Sequence, residues 1–501
     1  MLEVQVHSSL RDFLRQRGES NWPHYLTMAR LVARGLRLGR PALIQTGTTT
    51  EQYALSYLTN ALLWNGPVIL VTTPQEQQRL KAEVIPSLQD WLETNREIKV
   101  GDKWLTAQNS SVILLTTISS WLEDRLHNQK RFPQDIPTLI DGGNELEELT
   151  RQQLTHYLGS QEWEEIMVNY TSQVDQIRNV RIQLTKAIFA RPKNPYECYL
   201  LEKEEQEILR KLLHNLESLR ELPQRIQQFW QRWQSNNQML RAFINRDKGQ
   251  FTLHVAPGSV APMLRKIWPQ QPFVLIGKAL DWDTKAEAYR QRVGLPDLTC
   301  LKFPPNRYRE LPLYLPERLP FPNNPQYKSA LAHQVRPLVR LSHNSEKPIV
   351  ILIGDVPLRA QIGTMLAAEF GSKVQVEKVV FPNCQENNIL VCGWEFWRNY
   401  QHKLLTPQLL IIATLPIPSL ENPLVASRVA YYKNQRQDWF RLYLLPEAVR
   451  ELQLAVIPVR EAGGGIALLD NRVNHRSYGS EVLAALEPFA RINYLDVAWL
   501  D

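Results

Sequence analysis

Cysteine is scarce in this sequence, and its few cysteines are far apart. The 501 residues contain four of them: Cys198, Cys300, Cys384 and Cys392. No two form a CxxC pair, the spacing that is typical of zinc sites and of many iron–sulfur clusters. The sequence therefore supports neither kind of site. We predict isolated reduced thiols, as is usual for a cytoplasmic protein.

Long hydrophobic runs are also missing. The longest apolar stretches, such as PVILV and PIVILI, are far shorter than the roughly 20 residues that a membrane-spanning helix needs. The N-terminal stretch MLEVQVHSSLRDFLRQRG carries charges throughout and has no apolar core of the kind found in secretory signals. We therefore predict a cytoplasmic protein that does not act at a membrane.

The composition is that of a soluble, basic, multidomain protein. Hydrophobic residues make up 44% and charged residues 22%, which is ordinary for globular chains. A chain of this length is too long for one hydrophobic core and predicts two to four domains. The net charge of +7 mildly favours acidic partners, nucleic acid among them.

Short apolar runs alternate with helical patterns in two separate parts of the chain. This alternation predicts parallel α/β sheets. Between the two parts, residues 145 to 245 are rich in Glu, Gln, Arg and Leu at helical spacing, which predicts a helical insertion. The predicted segments are a first α/β lobe at 1–144, a helical insertion at 145–250, the completion of the first lobe at 251–302, a Pro-rich linker with a helix at 303–347, and a second α/β lobe at 348–501.

The stretch TGTTTEQY, residues 46–53, has the setting of a phosphate-binding loop. A strand-like run, ALIQ, precedes it and an amphipathic helix follows it, so backbone N–H groups and a helix N-terminus could surround a phosphate. However, the Lys and the Ser or Thr that such a loop requires are absent. Gln52 and Tyr53 stand in their places.

The order of motifs along the chain resembles that of the DinG/XPD-type superfamily 2 DNA helicases. TGTTTEQY corresponds to the family pattern AGTGTGKT, DGGN (141–144) to the DEAH motif, and PFVLIGKAL (272–280) to SATL. In the second lobe, GWEFWRNYQ (393–401) and LPEAVRELQLAVIPVREAGGGIALLDNRV correspond to the last two family motifs. The resemblance implies two RecA-like lobes of the P-loop NTPase type, with parallel sheets and a helical arch in the first lobe.

The resemblance also implies that the ATPase site has lost its chemistry. In the family, ATP and Mg²⁺ are held by the loop Lys, the loop hydroxyl and the acidic motif, and the last motif supplies two Arg. Here the water-activating Glu is Gly142 and the first Arg is Ile457, so only Asp141 and Arg460 survive as catalytic remnants. No cysteine lies between residues 53 and 141, where the family's iron–sulfur members have four. The remnant of the nucleotide site would comprise His24, Tyr25, Gly47, Thr48, Thr50, Gln52 and Tyr53.

Phosphoryl transfer depends on positioning and on charge neutralisation. Losing one transition-state contact commonly costs about 10²-fold or more in rate. We therefore predict no ATP, Mg²⁺ or iron–sulfur requirement and no useful hydrolysis.

Aromatic and basic residues occur together in two further stretches. Arg225, Trp230 and Arg232 lie in the insertion, and Trp394, Trp397 and Arg398 lie in a second-lobe motif. These residues could bind a single strand by stacking and by charge. Helical spacing favours core packing for the insertion aromatics. A core role is favoured for Trp394 and Trp397 as well, while their place in a family motif that faces DNA keeps binding open.

Three functions are compatible with the sequence. The first is a helicase homologue without ATPase activity that binds nucleic acid, with single-stranded DNA as the preferred partner. The second is a scaffold that reuses the helicase fold and binds another protein through the arch. The third is an active ATP-dependent helicase with atypical motifs, which the lost charges disfavour.

Overall fold

The computed structural model describes residues 2–18, 22–48, 51–104, 111–235, 238–305, 310–341, 347–378 and 389–493. Thr50 and Cys384, which the sequence analysis singled out, lie outside these ranges. No helix in the described part of the chain is long and apolar enough to cross a bilayer.

The first lobe begins with two helices and then alternates strands with helices. A π-helical turn at Leu80–Val84 joins the fourth helix to the fifth. In chain order the elements are α1 (Leu2–Arg17), α2 (Tyr25–Leu38), β1 (Ala42–Gln45), α3 (Ala54–Leu63), β2 (Val68–Thr72), α4 (Pro74–Arg79), α5 (Ile85–Trp91), β3 (Ile98–Val100), β4 (Ile113–Thr117), α6 (Ile118–His127), β5 (Thr138–Asp141) and α7 (Leu146–Gln153).

An insertion follows α7, and it is not entirely helical. Its elements are β6 (His156–Leu158), α8 (Ser160–Asn169), α9 (Val174–Phe189), β7 (Cys198–Leu200), α10 (Lys203–Leu219), α11 (Gln224–Gln234), β8 (Gln238–Asn245) and β9 (Gln250–Pro257). The four strands form an antiparallel sheet in the order β6-β9-β8-β7.

This sheet corrects two predictions. Strand β8 was missed, and strand β9 was assigned to the first lobe although it pairs with β8 and β6 inside the insertion. The helix α7 lies beyond the predicted boundary at residue 144, yet its Leu146 packs in the core of the first lobe.

The chain then returns to the centre of the first lobe. The returning elements are α12 (Ala261–Leu264), β10 (Phe273–Gly277), α13 (Glu287–Arg292) and β11 (Thr299–Lys302). The completed parallel sheet has the order β11-β1-β10-β5-β2-β4-β3, so β10 lies between β1 and β5. The insertion is therefore a true excursion from the first lobe.

The second lobe is also built on a parallel sheet. Its elements are β12 (Leu311–Tyr314), α14 (Tyr327–Leu341), β13 (Ile349–Leu352), α15 (Val356–Phe370), β14 (Val374–Val376), β15 (Ile389–Cys392), α16 (Trp394–Tyr400), β16 (Leu409–Ile412), α17 (Pro423–Asn434), α18 (Leu445–Glu461), β17 (Gly465–Leu468), α19 (Arg472–His475), α20 (Gly479–Ala484) and β18 (Phe489–Ile492). The seven strands have the order β14-β15-β13-β16-β17-β12-β18.

One strand of the second sheet comes from the stretch that was predicted as a linker. Strand β12 pairs in parallel with β17 and β18, so residues 311–314 belong to the second lobe. The central strands of both lobes are buried along their whole length because helices cover both faces of each sheet. The predicted fold class, two RecA-like lobes with parallel sheets, is confirmed.

Candidate functional site

The candidate nucleotide site lies at the carboxyl end of β1, where the chain turns toward α3. Gly47 has a φ of +63°, a left-handed conformation that favours glycine. A Cβ at this position would lie 2.6 Å from the carbonyl oxygen of Phe303. The loop backbone is tied to the neighbouring strand, since the Gly47 N–H donates to the Lys278 carbonyl at 2.9 Å. The strand, loop and helix that the sequence predicted are all present.

Two tyrosine hydroxyls donate hydrogen bonds to the acidic residue of the site, Asp141. The Tyr53 hydroxyl donates to Oδ1 of Asp141 at 2.8 Å, and the Tyr57 hydroxyl donates to Oδ2 at 2.7 Å. All three side chains are buried. Tyr53 and Tyr57 are four residues apart and therefore lie on the same side of the helical segment that follows the loop. Each oxygen of Asp141 already accepts a hydrogen bond from the protein.

Burial controls the protonation of this cluster. It raises the pKa of Asp141 to about 7, against the opposing effect of the two tyrosine hydrogen bonds. Burial, together with the neighbouring Asp141, also raises the pKa of Tyr53 and that of Tyr57 well above their ordinary value. Both phenols therefore remain protonated donors, and the carboxyl group is partly protonated near neutral pH.

Three more of the predicted nucleotide contacts, His24, Tyr25 and Gln52, are bonded to other parts of the protein. The Tyr25 hydroxyl donates to Oε1 of Gln52 at 3.0 Å. The His24 ring stacks on Phe303 with centroids 4.9 Å apart, and its Nε2 lies 3.1 Å from the Pro304 carbonyl oxygen. These polar groups thus already have partners in the protein.

The loop also contacts the second lobe directly. The Thr48 hydroxyl donates to the carboxylate of Glu461, the last residue of α18. Arg460, one residue earlier, points elsewhere: its guanidinium donates to the carbonyl oxygens of Pro488, at 2.6 Å, and of Leu486. Burial lowers the pKa of Arg460 to about 10, so it remains charged. Arg460 therefore binds backbone within its own lobe and does not reach the loop.

Two comparisons concern the sequence. Residues 364–489 match the family described as Helicase C-terminal domain. The ATP-dependent DNA helicase YoaA of Escherichia coli (strain K12) is 26% identical over 257 residues, which are 48% of this chain and 40% of YoaA. The chain thus spans less than half of YoaA in this match.

Two solved structures share the fold over almost the whole chain. The structure of S. tokodaii Xpd4 is 13% identical and covers 94% of this chain and 100% of its own, with a TM-score of 0.57. A second XPD helicase is 10% identical and covers 93% of this chain and 99% of its own, with a TM-score of 0.58. The chain therefore shares the fold of XPD helicases, and part of its second lobe matches the Helicase C-terminal domain family in sequence.

The site does not fit the Mg²⁺ and ATP that the helicase family implies. Mg²⁺ needs near-ideal octahedral coordination by oxygen ligands at about 2.0–2.1 Å. Here the phenol of Tyr53 stands where the family has a small hydroxyl, and it is bonded to the surviving acid. The neutral Gln52 replaces the Lys. Among the described residues, no cluster of three His, Cys, Asp or Glu side chains offers an alternative metal site.

The acidic motif of this chain packs closely around Gly142, which stands where the helicases have Glu. A Cβ on Gly142 would lie 2.1 Å from Cδ1 of Ile118, so a side chain could be accommodated there only if Ile118 moved. Asn144 is also occupied, because its amide donates to the Ala279 carbonyl at 2.8 Å and its Oδ1 accepts from the Lys278 N–H at 2.8 Å. The motif is thus fixed by internal hydrogen bonds.

The two helicase lobes are joined by a buried network of charges. Arg428 of α17 donates to Glu148 of α7 at 3.0 Å, and Arg292 of α13 pairs with Glu447 of α18. Burial alone would raise the pKa of Glu447, but the arginines around it lower that pKa well below its usual range. The members of this interlobe charge network are Glu147, Glu148, Arg151 and Arg292 in the first lobe and Arg428, Glu447 and Arg450 in the second.

The tryptophans that were candidates for stacking on nucleic acid lie in hydrophobic cores, which was the favoured alternative. Trp230 is 3% exposed within the insertion, and Trp394 and Trp397 are 7% and 2% exposed within the second lobe. The candidate stacking role is therefore wrong for all three, because a ring enclosed by core side chains offers no face to a base.

The predicted arginine contacts have a different setting. Arg225 and Arg398 are exposed, and each lies near an acid: Arg225 is 3.6 Å from Glu162 and Arg398 is 2.8 Å from Glu451. Arg232 is half-buried, and burial lowers its pKa. As nucleic-acid contacts, these three arginines stay predictions.

The sequence analysis missed the residues that close the site. Tyr57 had a usable signal, since it follows Tyr53 by one helical turn. Glu461 and Arg428 had none, because only the placement of the second lobe brings them to the loop and to α7.

Proposed function

We propose that this chain is a nucleic-acid-binding protein of helicase fold that does not hydrolyse ATP. The observation that carries this proposal is the hydrogen bond from Tyr53 to Asp141, 2.8 Å long. Tyr53 stands where the helicases have the hydroxyl that binds Mg²⁺, and Asp141 is the acid that would bind the same ion. Each oxygen of Asp141 already accepts a hydrogen bond from a buried phenol, so a metal ion would have to compete with both tyrosines.

The chemistry that remains is too weak for phosphoryl transfer. Gln52 brings no positive charge to a phosphate, Gly142 cannot activate water, and Arg460 is held by backbone carbonyls. Each missing contact commonly costs about 10²-fold or more in rate.

Nucleic-acid binding is the second half of the proposal. The whole fold is shared with XPD helicases, and YoaA is named an ATP-dependent DNA helicase. The net charge of +7 favours a polyanionic partner. We propose single-stranded DNA as that partner, in the cytoplasm, where the cysteines would stay reduced. The charge network between the lobes would hold the binding surface in one arrangement without nucleotide.

The test is the affinity of the purified full-length protein for a fluorescent oligo-dT, measured by anisotropy across a salt series with and without Mg-ATP. We expect binding that weakens steeply with salt, with a slope of log K against log salt of about −0.7 for each phosphate contacted. Mg-ATP should leave the affinity unchanged. Absence of binding at low salt, or an affinity that switches with Mg-ATP, would contradict the proposal.

A further inference from the structure

Helix α2 of the first lobe exposes a row of arginines. Arg30, Arg34 and Arg37 are four and three residues apart, so they lie one after another along the same side of the helix. All three are exposed, and so is Arg40, two residues beyond the end of the helix. The opposite side of α2 is buried against α1, α3 and β10. The four exposed residues are called the arginine row below.

Most of the charge of the arginine row has no counterpart in the described part of the protein. Helix α2 contains no Asp or Glu. Arg37 pairs with Glu3, with its Nε 2.7 Å from Oε1, but within the described ranges the other three arginines form no ion pair. Like charges three and four residues apart on a helix repel each other, so the row does not serve to stabilise α2. Three cations are therefore available to an anionic ligand.

The backbone beneath the row is held firmly. Gly39 ends α2 in a left-handed conformation with a φ of +61°, and its N–H donates to the Gly35 carbonyl. The Arg40 N–H donates to the same carbonyl at 3.2 Å, which fixes the end of the row. A Cβ on Gly35 would lie 3.2 Å from Cγ2 of Val274, so the helix lies close against β10. A ligand of the row would therefore have to order side chains only, which limits the entropy cost of binding.

The shape and chemistry of the row favour a chain of phosphates. Arginine guanidinium groups bind phosphate oxygens through two parallel hydrogen bonds. Arg30 and Arg37 are seven residues apart, which is about 10 Å along the helix, too far for one small anion to reach both. A protein partner would need apolar anchors, and Leu38 is the one large apolar side chain that α2 exposes. A nucleic-acid backbone therefore fits the row better than an acidic protein surface.

We propose that the arginine row of α2 binds the phosphate backbone of a nucleic-acid strand, with Arg30 and Arg34 as its central contacts. This inference rests on the nucleic-acid binding proposed above and assigns it a site. Phosphate contacts carry no sequence information directly, so the row should bind strands of any sequence.

The experiment compares full-length variants for binding to fluorescent oligo-dT across a salt series. Arg30→Gln and Arg34→Gln should each weaken binding about 5- to 10-fold at about 50 mM salt, and the double variant should make the salt slope shallower by about 1.4. The effect should shrink as salt rises. The matched control is Arg178→Gln combined with Arg441→Gln, which removes the same charge from exposed positions outside the row and should leave the slope unchanged.

Replacement by lysine separates charge from structure. Arg30→Lys combined with Arg34→Lys keeps both charges and should keep the salt slope of wild type. Because both side chains are exposed, none of these changes should lower the melting temperature. A lysine variant that loses the slope as fully as the glutamine variant would give the row a structural role and overturn the assignment.

The outcomes also separate the site from the function. If wild type does not bind oligo-dT at low salt, the proposed function itself fails. If wild type binds but the double glutamine variant binds equally well with the same slope, the row is not the site and the function stands. Poly-glutamate that binds wild type as tightly as oligo-dT, and is lost in the double variant, would make the row a surface for acidic proteins and overturn the nucleic-acid assignment.

Discussion

The hydroxyl of Tyr53 lies 2.8 Å from Oδ1 of Asp141, and both side chains are buried. In the helicases that this chain resembles, these two positions hold a magnesium ion between them. In this chain the two side chains are hydrogen-bonded to each other. The hydrogen bond between these two buried side chains makes specific energetic predictions.

Removing the Tyr53 hydroxyl should destabilise the protein. In Tyr53→Phe one oxygen of a buried acid loses its donor, which should lower the free energy of unfolding by about 1–3 kcal/mol. The hydrogen bond from Tyr53 stabilises the charged carboxylate, so its removal should also raise the pKa of Asp141 above about 7. Urea unfolding measures the first effect. Tyr25→Phe, which loses a half-buried bond to Gln52, serves as the control and should cost about 1 kcal/mol or less.

Asp141 should make stability depend on pH in the direction opposite to most acids. Its pKa is raised from 3.8 to about 7 on folding, so the folded state binds more protons between these values. The contribution of Asp141 is therefore most favourable below about pH 4 and is lost as pH rises through about 7. We expect the free energy of unfolding of Asp141→Asn, relative to that of wild type, to rise by about 2–4 kcal/mol as the pH goes from 4 to 8.

Denaturant unfolding of both proteins across this pH range checks the prediction. A difference between them that does not change with pH would show that Asp141 keeps an ordinary pKa in the folded protein.

The charge network between the lobes should be essential to stability. Arg428→Ala leaves Glu147 and Glu148 without an interlobe partner, but Glu147 keeps Arg151 and Arg292, so we expect the free energy of unfolding to fall by about 1–3 kcal/mol. Arg441→Ala is the matched control, because its contact with Asp438 is exposed and 3.9 Å long. That change should cost less than about 1 kcal/mol. Equal unfolding free energies for the two variants would mean that the lobes do not depend on the network.

The sequence predicted the two parallel sheets because their strands are buried on both faces and read as continuous apolar runs. It did not predict the insertion sheet. The residues of strand β9 were assigned to the first lobe, because a local pattern does not specify the partner strand. Strand β12 was hidden because its sequence, LPLY, lies in a Pro-rich stretch, where proline normally argues against a strand.

The chemistry of the site was only partly predictable. The loss of Lys and Glu could be identified from motif positions alone. The bond between Tyr57 and Asp141 spans 84 residues, and no spacing rule predicts such a contact. Glu461 and Arg460 are neighbours on one helix that point in different directions, so the position of the second lobe decides which of them meets the loop.

The most direct test of the central claim is phosphate release by the purified protein with saturating Mg-ATP and oligo-dT. The account predicts no release above a blank without protein, for wild type and for Asp141→Ala alike. Release by wild type that disappears in Asp141→Ala would contradict it, because Asp141 would then act in a working ATPase site.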